Sequence, residues 1–148
     1  MILSGQTIRS LNILSPFAER TVFDGMSYGV SYCGYDIRVA QEFILHPTAF
    51  TIASSVEEFN MPRHVAGVVH DKSTWARKGL SVFNTVLEPG WKGFLTLELV
   101  NNGSSPLEFK KGHPIAQVIF HMVDQEPETT YQGKYQNQEA GPQGARYE

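Results

Sequence analysis

The sequence predicts a mainly β domain of jelly-roll or barrel type with a few short helices. Three observations point to it. Short β-prone runs recur from Tyr28 onward, Gly, Pro, Asn and Asp separate them at turn-like intervals, and helical signals are confined to two brief stretches. A chain of 148 residues has room for one domain and can bury a real core without disulfides or a structural metal.

The first helical signal lies within residues 1–20. Ser4 is suited to cap a helix over Gln6 to Leu11, and Pro16 stops whatever precedes it. The predicted strands then follow as Tyr35 to Val39, Ala49 to Ala53, Val65 to Val69, Leu80 to Val86, Gly93 to Val100 and Ile115 to Val123. Asn101-Asn102-Gly103-Ser104-Ser105-Pro106 is a turn cluster. The second helical signal is Asp71 to Gly79, where Ser73 can cap and Gly79 can end the helix in a left-handed conformation. Residues 1–123 form the predicted β domain. Residues 124–148 differ, being rich in Gln, Gly, Glu and Tyr and nearly free of aliphatic residues, so they cannot order themselves by burial alone. They read either as a frayed terminus or as a lid that orders over a ligand, held by Tyr131, Lys134, Tyr135 and Gln138.

Composition narrows the function classes. The net charge is −3 and no basic stripe is present, which argues against a double-stranded nucleic-acid partner but leaves room for a polyphosphate held by a few placed cations. The opening MILSGQTIRS lacks the pattern of a signal peptide, and no stretch approaches the roughly 20 apolar residues of a membrane span, so the expected location is cytoplasmic. Cys33 is the only cysteine, so no intrachain disulfide is possible. The five histidines, His46, His64, His70, His113 and His121, are scattered, and no HxE with PCxxC arrangement occurs. The zinc-deaminase signature is therefore missing, and the expectation is no zinc.

Three constellations could carry chemistry, each with a plainer reading beside it. Ser73 and Arg77 are four apart and would share a helix face, with Lys72 at the helix start where free N–H groups favour an anion; on spacing alone a surface helix with ordinary solvated cations is the stronger reading, because small K/S/R groupings are common. In Phe94 to Val100, Leu95, Leu97 and Leu99 share one strand face, which puts Glu98 on the other with Phe94, Thr96 and Val100. A carboxylate among such neighbours has its charged form disfavoured, which suits proton exchange near neutrality. It is also what a glutamate on the wet side of a sheet looks like. The turn Leu87-Glu88-Pro89-Gly90-Trp91-Lys92-Gly93 could present Glu88 and Trp91 to a sugar, or Trp91 could plug the core end of a hairpin.

Read in order, the segments MILSGQTI, MSYGVSYCGYDIRVAQEF, AFTIASSVEEFNMP, DKSTWARKGLSVFNTVLEPGWKGFLTLELVN, GHPIAQVIF and YQGKYQNQ resemble the dCTP deaminases of the dUTPase-like trimeric superfamily over nearly the whole chain. The resemblance implies a distorted jelly-roll or β-barrel of the dUTPase-like type, assembled as a homotrimer with its sites between subunits. It also implies zinc-independent hydrolytic deamination of dCTP to dUTP and ammonia, supplying dUMP and dTTP synthesis. Position by position, Glu98 matches the general base and acid, and Ser73 and Arg77 match residues that hold the water and support it. Lys72 would face phosphate, Glu88 and Trp91 would receive the deoxyribose, and Thr85 lies in the hairpin that reads the base. Gln117, Tyr131, Lys134 and Gln138 match triphosphate contacts. Mg2+ would ride on the triphosphate with no direct protein ligand.

The rival readings are a dUTP pyrophosphatase, a bifunctional dCTP deaminase and dUTPase forming dUMP, and a non-catalytic nucleotide-binding regulator. The dUTPase reading expects an Asp in the hairpin turn and a Gly-rich final motif, where this chain has Glu88 and no such run.

Overall fold

The computed structural model describes residues 1–147. In chain order the elements are α1 (Gly5–Ser10), β1 (Leu14–Ser15), β2 (Thr21–Phe23), β3 (Met26–Val30), β4 (Tyr35–Arg38), β5 (Phe43–Leu45), β6 (Phe50–Asn60), β7 (Val65–Asp71), α2 (Ser73–Ala76), β8 (Leu80–Val82), β9 (Val86–Leu87), β10 (Lys92–Asn101), β11 (Leu107–Phe109) and β12 (Pro114–Met122). The fold is mainly β and jelly-roll-like, as the strand and turn pattern predicts. A six-stranded sheet runs β2-β3-β4-β12-β7-β9, a four-stranded sheet runs β1-β6-β10-β8, and β11 pairs with β5. Every paired strand is antiparallel to its neighbour.

One apolar cluster joins the two larger sheets, with Ile37, Val69, Val118 and Phe120 from one and Ala53, Phe59, Leu97 and Leu99 from the other. Burying a leucine such as Leu97 or Leu99 fully contributes about 1.5–3 kcal/mol, so the alternation along β10 fixes which way that strand faces. Ser4 caps α1, its hydroxyl accepting from the Thr7 N–H at 3.4 Å. Pro114 opens β12, a position where a missing N–H costs no ladder bond.

Two details reposition the chain. The predicted strand Leu80 to Val86 is broken, because β8 pairs with β10 in one sheet while β9 pairs with β7 in the other. Between them the Phe83 N–H donates to the Glu98 carbonyl at 3.1 Å and the Val69 N–H to the Thr85 carbonyl at 3.1 Å, so the segment changes sheets beside Glu98. The second detail is a bulge in β6. Its pairing with β10 jumps from Ser54↔Thr96 to Glu58↔Phe94, leaving Ser55, Val56 and Glu57 opposite Leu95 alone. The Ser55 hydroxyl accepts the Leu95 N–H that the ladder leaves over, at 2.9 Å, and Ser55 also forms an isolated antiparallel bridge with Val39, the residue after β4.

Strands β1, β2, β3, β5 and β11 were not among the predicted runs. Each is five residues or shorter, too brief for periodicity to show.

Candidate functional site

β10 carries Glu98 between Leu97 and Leu99, and the strand pleat turns Glu98 away from the core those leucines enter. Its partner across the ladder is Ile52 of β6. Together they stand in a cavity of about 720 Å³. Phe50, Ile52, Val86, Leu87 and Leu95 supply apolar wall, and Thr85, Glu88, Trp91, Thr96, Tyr131 and Gln138 add polar or aromatic groups. The Glu98 Oε2 atom is buried and has no hydrogen-bond partner. Burial raises its carboxyl pKa above the ordinary value of 4.5, and only the residue's own backbone N–H opposes the rise.

The hairpin between β9 and β10 forms one rim. Gly90 takes φ +82°, a left-handed conformation that an L side chain rarely adopts, and a Cβ there would meet the Thr130 side chain at 2.4 Å. The Trp91 ring is buried, 6% exposed, and packs against Phe59 with 6.1 Å between ring centroids. Its indole N–H donates to the Tyr135 carbonyl at 2.7 Å. Trp91 therefore plugs the core end of the hairpin and also lines the cavity. Glu88 is exposed at the same rim.

The tail after β12 folds back along this hairpin. The Tyr131 N–H donates to the Pro89 carbonyl and the Asn137 N–H to the Lys92 carbonyl, each at 2.9 Å. Gln138 forms a parallel bridge with Gly93, and the Phe94 N–H donates to its carbonyl at 2.9 Å. Composition alone left fraying and a lid both open. The order here comes from hydrogen bonds to an exposed strand start, together with Tyr131 packed on the core, and not from aliphatic burial. Gln143, Gly144 and Ala145 then form the roof of the Glu98 cavity. Glu148, the last residue of the predicted lid, lies outside the described residues.

Six of the predicted site residues thus converge: Glu98, Thr85, Glu88, Trp91, Tyr131 and Gln138. Five do not. Ser73 is the first residue of α2, not its cap; Lys72 holds the cap position with extended backbone and makes no side-chain cap bond. Lys72 does not face outward to an anion either. It is 8% exposed, and its ammonium donates to Asp36 Oδ2 at 3.2 Å. Burial raises the Asp36 carboxyl pKa, against the pull of Lys72. Ser73 and Arg77 are exposed on α2, linked by the Arg77 N–H donating to the Ser73 carbonyl at 3.1 Å. Arg77 lines a different concavity, with Trp75, Lys78 and His113. The α2 helix lies past the far end of β10, where the Asn102 N–H donates to the Gly79 carbonyl. At about 3.3 Å per residue, Asn101 is already roughly 10 Å along the strand from Glu98.

Gln117 donates to the Ser31 hydroxyl at 3.4 Å, away from the cavity, and Lys134 is exposed with its ammonium 5.5 Å from the Tyr135 ring centre. Gln138 is buried, 6% exposed, with its amide committed to the Phe94 carbonyl and the Thr96 hydroxyl. The sequence reading named neither Phe50, Ile52 and Leu95 as cavity wall nor Thr96 and Gln143 as part of the site. Phe50 and Ile52 carried a usable signal, since the Glu98 face needs apolar neighbours across the ladder; Leu95, on the other face of β10, did not.

Among the described residues, no three His, Cys, Asp or Glu side chains gather into a group able to hold a metal, and Cys33 is exposed by itself. No helix among the described residues is long and apolar enough to cross a membrane.

The fold is shared with solved dUTPases. The EIAV dUTPase superposes with a TM-score of 0.59 at 18% identity, covering 82% of this chain and 98% of that one. The dUTPase of Staphylococcus bacteriophage 80alpha gives 0.59 at 15% identity, covering 82% and 97%. At the level of sequence, the dCTP deaminase-like family model matches residues 2–123. The dCTP deaminase of Gemmatimonas aurantiaca is 37% identical, covering 88% of this chain and 89% of that protein. That of Campylobacter curvus is 38% identical, covering 86% of each. The chain belongs to the dCTP deaminase-like family.

Proposed function

We propose that this chain deaminates dCTP to dUTP and ammonia, with Glu98 as general base and then general acid. The observation that carries the reading is the buried, unpartnered Glu98 oxygen in a largely apolar cavity. The names of the relatives support the substrate. Water adds to cytosine C4 as Glu98 takes its proton, and that proton passes to N3. The C4–N4 bond then breaks as the amine leaves with the second proton of the water, giving the uracil carbonyl and returning Glu98 to its ionised form. A general base of this kind contributes about 10²–10⁴-fold, so orientation within the cavity must supply the rest.

Thr85 and the chain around it read the base, Glu88 and Trp91 receive the deoxyribose, and Tyr131 and Lys134 meet the triphosphate, which brings its own Mg2+. Ser73, Arg77 and Gln117 belong to the same reaction only if another copy brings them, so the reading includes a homotrimer whose sites lie between subunits. Two observations support that arrangement: α2 exposes Ser73 and Arg77, and among the described residues no arginine or lysine lines the cavity of one chain. A mixed assembly tests it. Glu98→Gln and Arg77→Ala, each inactive alone, should recover measurable activity when co-assembled, and none should return if both groups act within one chain.

The reaction itself is tested by incubating the protein with dCTP and with dUTP and resolving ammonia, dUTP, dUMP and pyrophosphate. Ammonia and dUTP from dCTP are expected. Pyrophosphate from dUTP without ammonia from dCTP would make the protein a dUTPase, ammonia with dUMP would make it bifunctional, and binding without turnover would make it a regulator.

A further inference from the structure

Thr96 sits two residues before Glu98 on the same strand face, in the wall of the same cavity. Its hydroxyl oxygen accepts two hydrogen bonds, both from the tail. One comes from the Gln138 side-chain amide at 3.0 Å and the other from the Gln143 N–H at 3.1 Å. A hydroxyl oxygen has two lone pairs, so both are used. Gln138 spends its other amide proton on the Phe94 carbonyl at 2.8 Å. The two tail residues that meet Thr96 flank the turn at Gly141, whose φ is +95°, and the second of them begins the roof over Glu98.

We propose that Thr96 is a positioning residue that seats the tail as the roof of the Glu98 cavity, its hydroxyl being the post to which Gln138 and Gln143 are tied. The inference rests on the deamination reading for its kinetic consequence, but not for its structural one. It also gives the Gln138 amide a different task from phosphate binding. Without the hydroxyl, one N–H of a buried amide and one backbone N–H lose their acceptor, and the roof segment keeps no tie to β10 at this point. Valine matches threonine in shape and lacks the acceptor, whereas serine keeps the acceptor and lacks the methyl.

The experiment compares wild type, Thr96→Val and Thr96→Ser. Tryptic cleavage after the exposed Lys134, followed without nucleotide, reads the seating of the tail independently of turnover. Cleavage should quicken about tenfold in Thr96→Val and stay near wild type in Thr96→Ser. With dCTP as substrate, KM should rise about tenfold in Thr96→Val with kcat within about twofold, and serine should restore it. An unfolding midpoint close to wild type shows that the body is intact. A tail as protected in Thr96→Val as in wild type would overturn the proposal, and so would serine failing as badly as valine. If wild type releases no ammonia from dCTP, the deamination reading fails, while the cleavage result still decides for or against Thr96.

Discussion

Glu57 and Glu98 stand on neighbouring strands of one sheet, and they differ in whether anything meets their oxygens. Glu57 is fully buried in the β6 bulge, and both its oxygens are held by Arg38. The Arg38 guanidinium donates to Oε1 at 2.8 Å and the Arg38 N–H to Oε2 at 3.0 Å. The guanidinium also lies over the Tyr28 ring, 4.5 Å from its centre. Glu98 is only half-buried, yet its Oε2 is sealed from water and touches no donor. Burial pushes both carboxyl pKa values up, and only at Glu57 does a cation oppose it. Burial of a carboxyl therefore does not by itself mark a reacting group. The lost solvation is answered by protein at Glu57, where the result is a joint between β4 and β6. At Glu98 no protein group answers it at Oε2, and in the proposed reaction a substrate and a water would.

The largest expected effect separates the two by activity. Glu98→Gln should lower kcat for dCTP by about 10³-fold or more while dCTP still binds, because the cavity keeps its shape and loses only the base. Ammonia release near the wild-type rate in that variant would remove Glu98 from the chemistry. Glu57→Gln should act on stability. It leaves the largely buried Arg38 cation unpaired, a class of change that costs about 3–5 kcal/mol, so urea unfolding should show a lower midpoint with an unchanged slope. If Glu57→Gln unfolds like wild type, the joint is not holding the sheets together and the contrast with Glu98 collapses.

Much of this was legible in the sequence. The alternation over Phe94 to Val100 places Glu98 on the face opposite three leucines, and β10 has that pattern because Leu95, Leu97 and Leu99 are what the core buries. Glu57 was not legible. In AFTIASSVEEFNMP, strict alternation puts Glu57 on the face of Ala53, Ser55 and Phe59, all buried, but gives no reason for a carboxylate to stay there; its partner, Arg38, lies on another strand, β4. Lys72 was misread for a similar reason. Its place before Ser73 suggested an outward cation, while its actual partner, Asp36, is far away in sequence on β4. Composition left the tail open between a frayed terminus and a lid, since its order depends on acceptors offered by the β9–β10 hairpin and by Thr96, none of which lies in the tail.

The smallest expected effect concerns stability against pH at Glu98, and its sign follows from the raised pKa. The folded chain holds the Glu98 proton more tightly than the unfolded chain does, so folding takes up a proton in the window between the ordinary value of 4.5 and the raised one. Glu98 therefore contributes most to stability below 4.5, and that contribution is lost as pH rises through the raised value. Activity runs the other way, because the base must be ionised: kcat/KM should fall on acidification with a midpoint above 4.5. Glu98→Gln carries no such proton. At pH 7 it should be as stable as wild type or slightly more so, and the difference should close as the pH approaches the ordinary glutamate value. A Glu98→Gln protein less stable than wild type at pH 7 would mean that the carboxylate has a partner in the folded state. In that case Glu98 would be a second Glu57 and not the open end of a site.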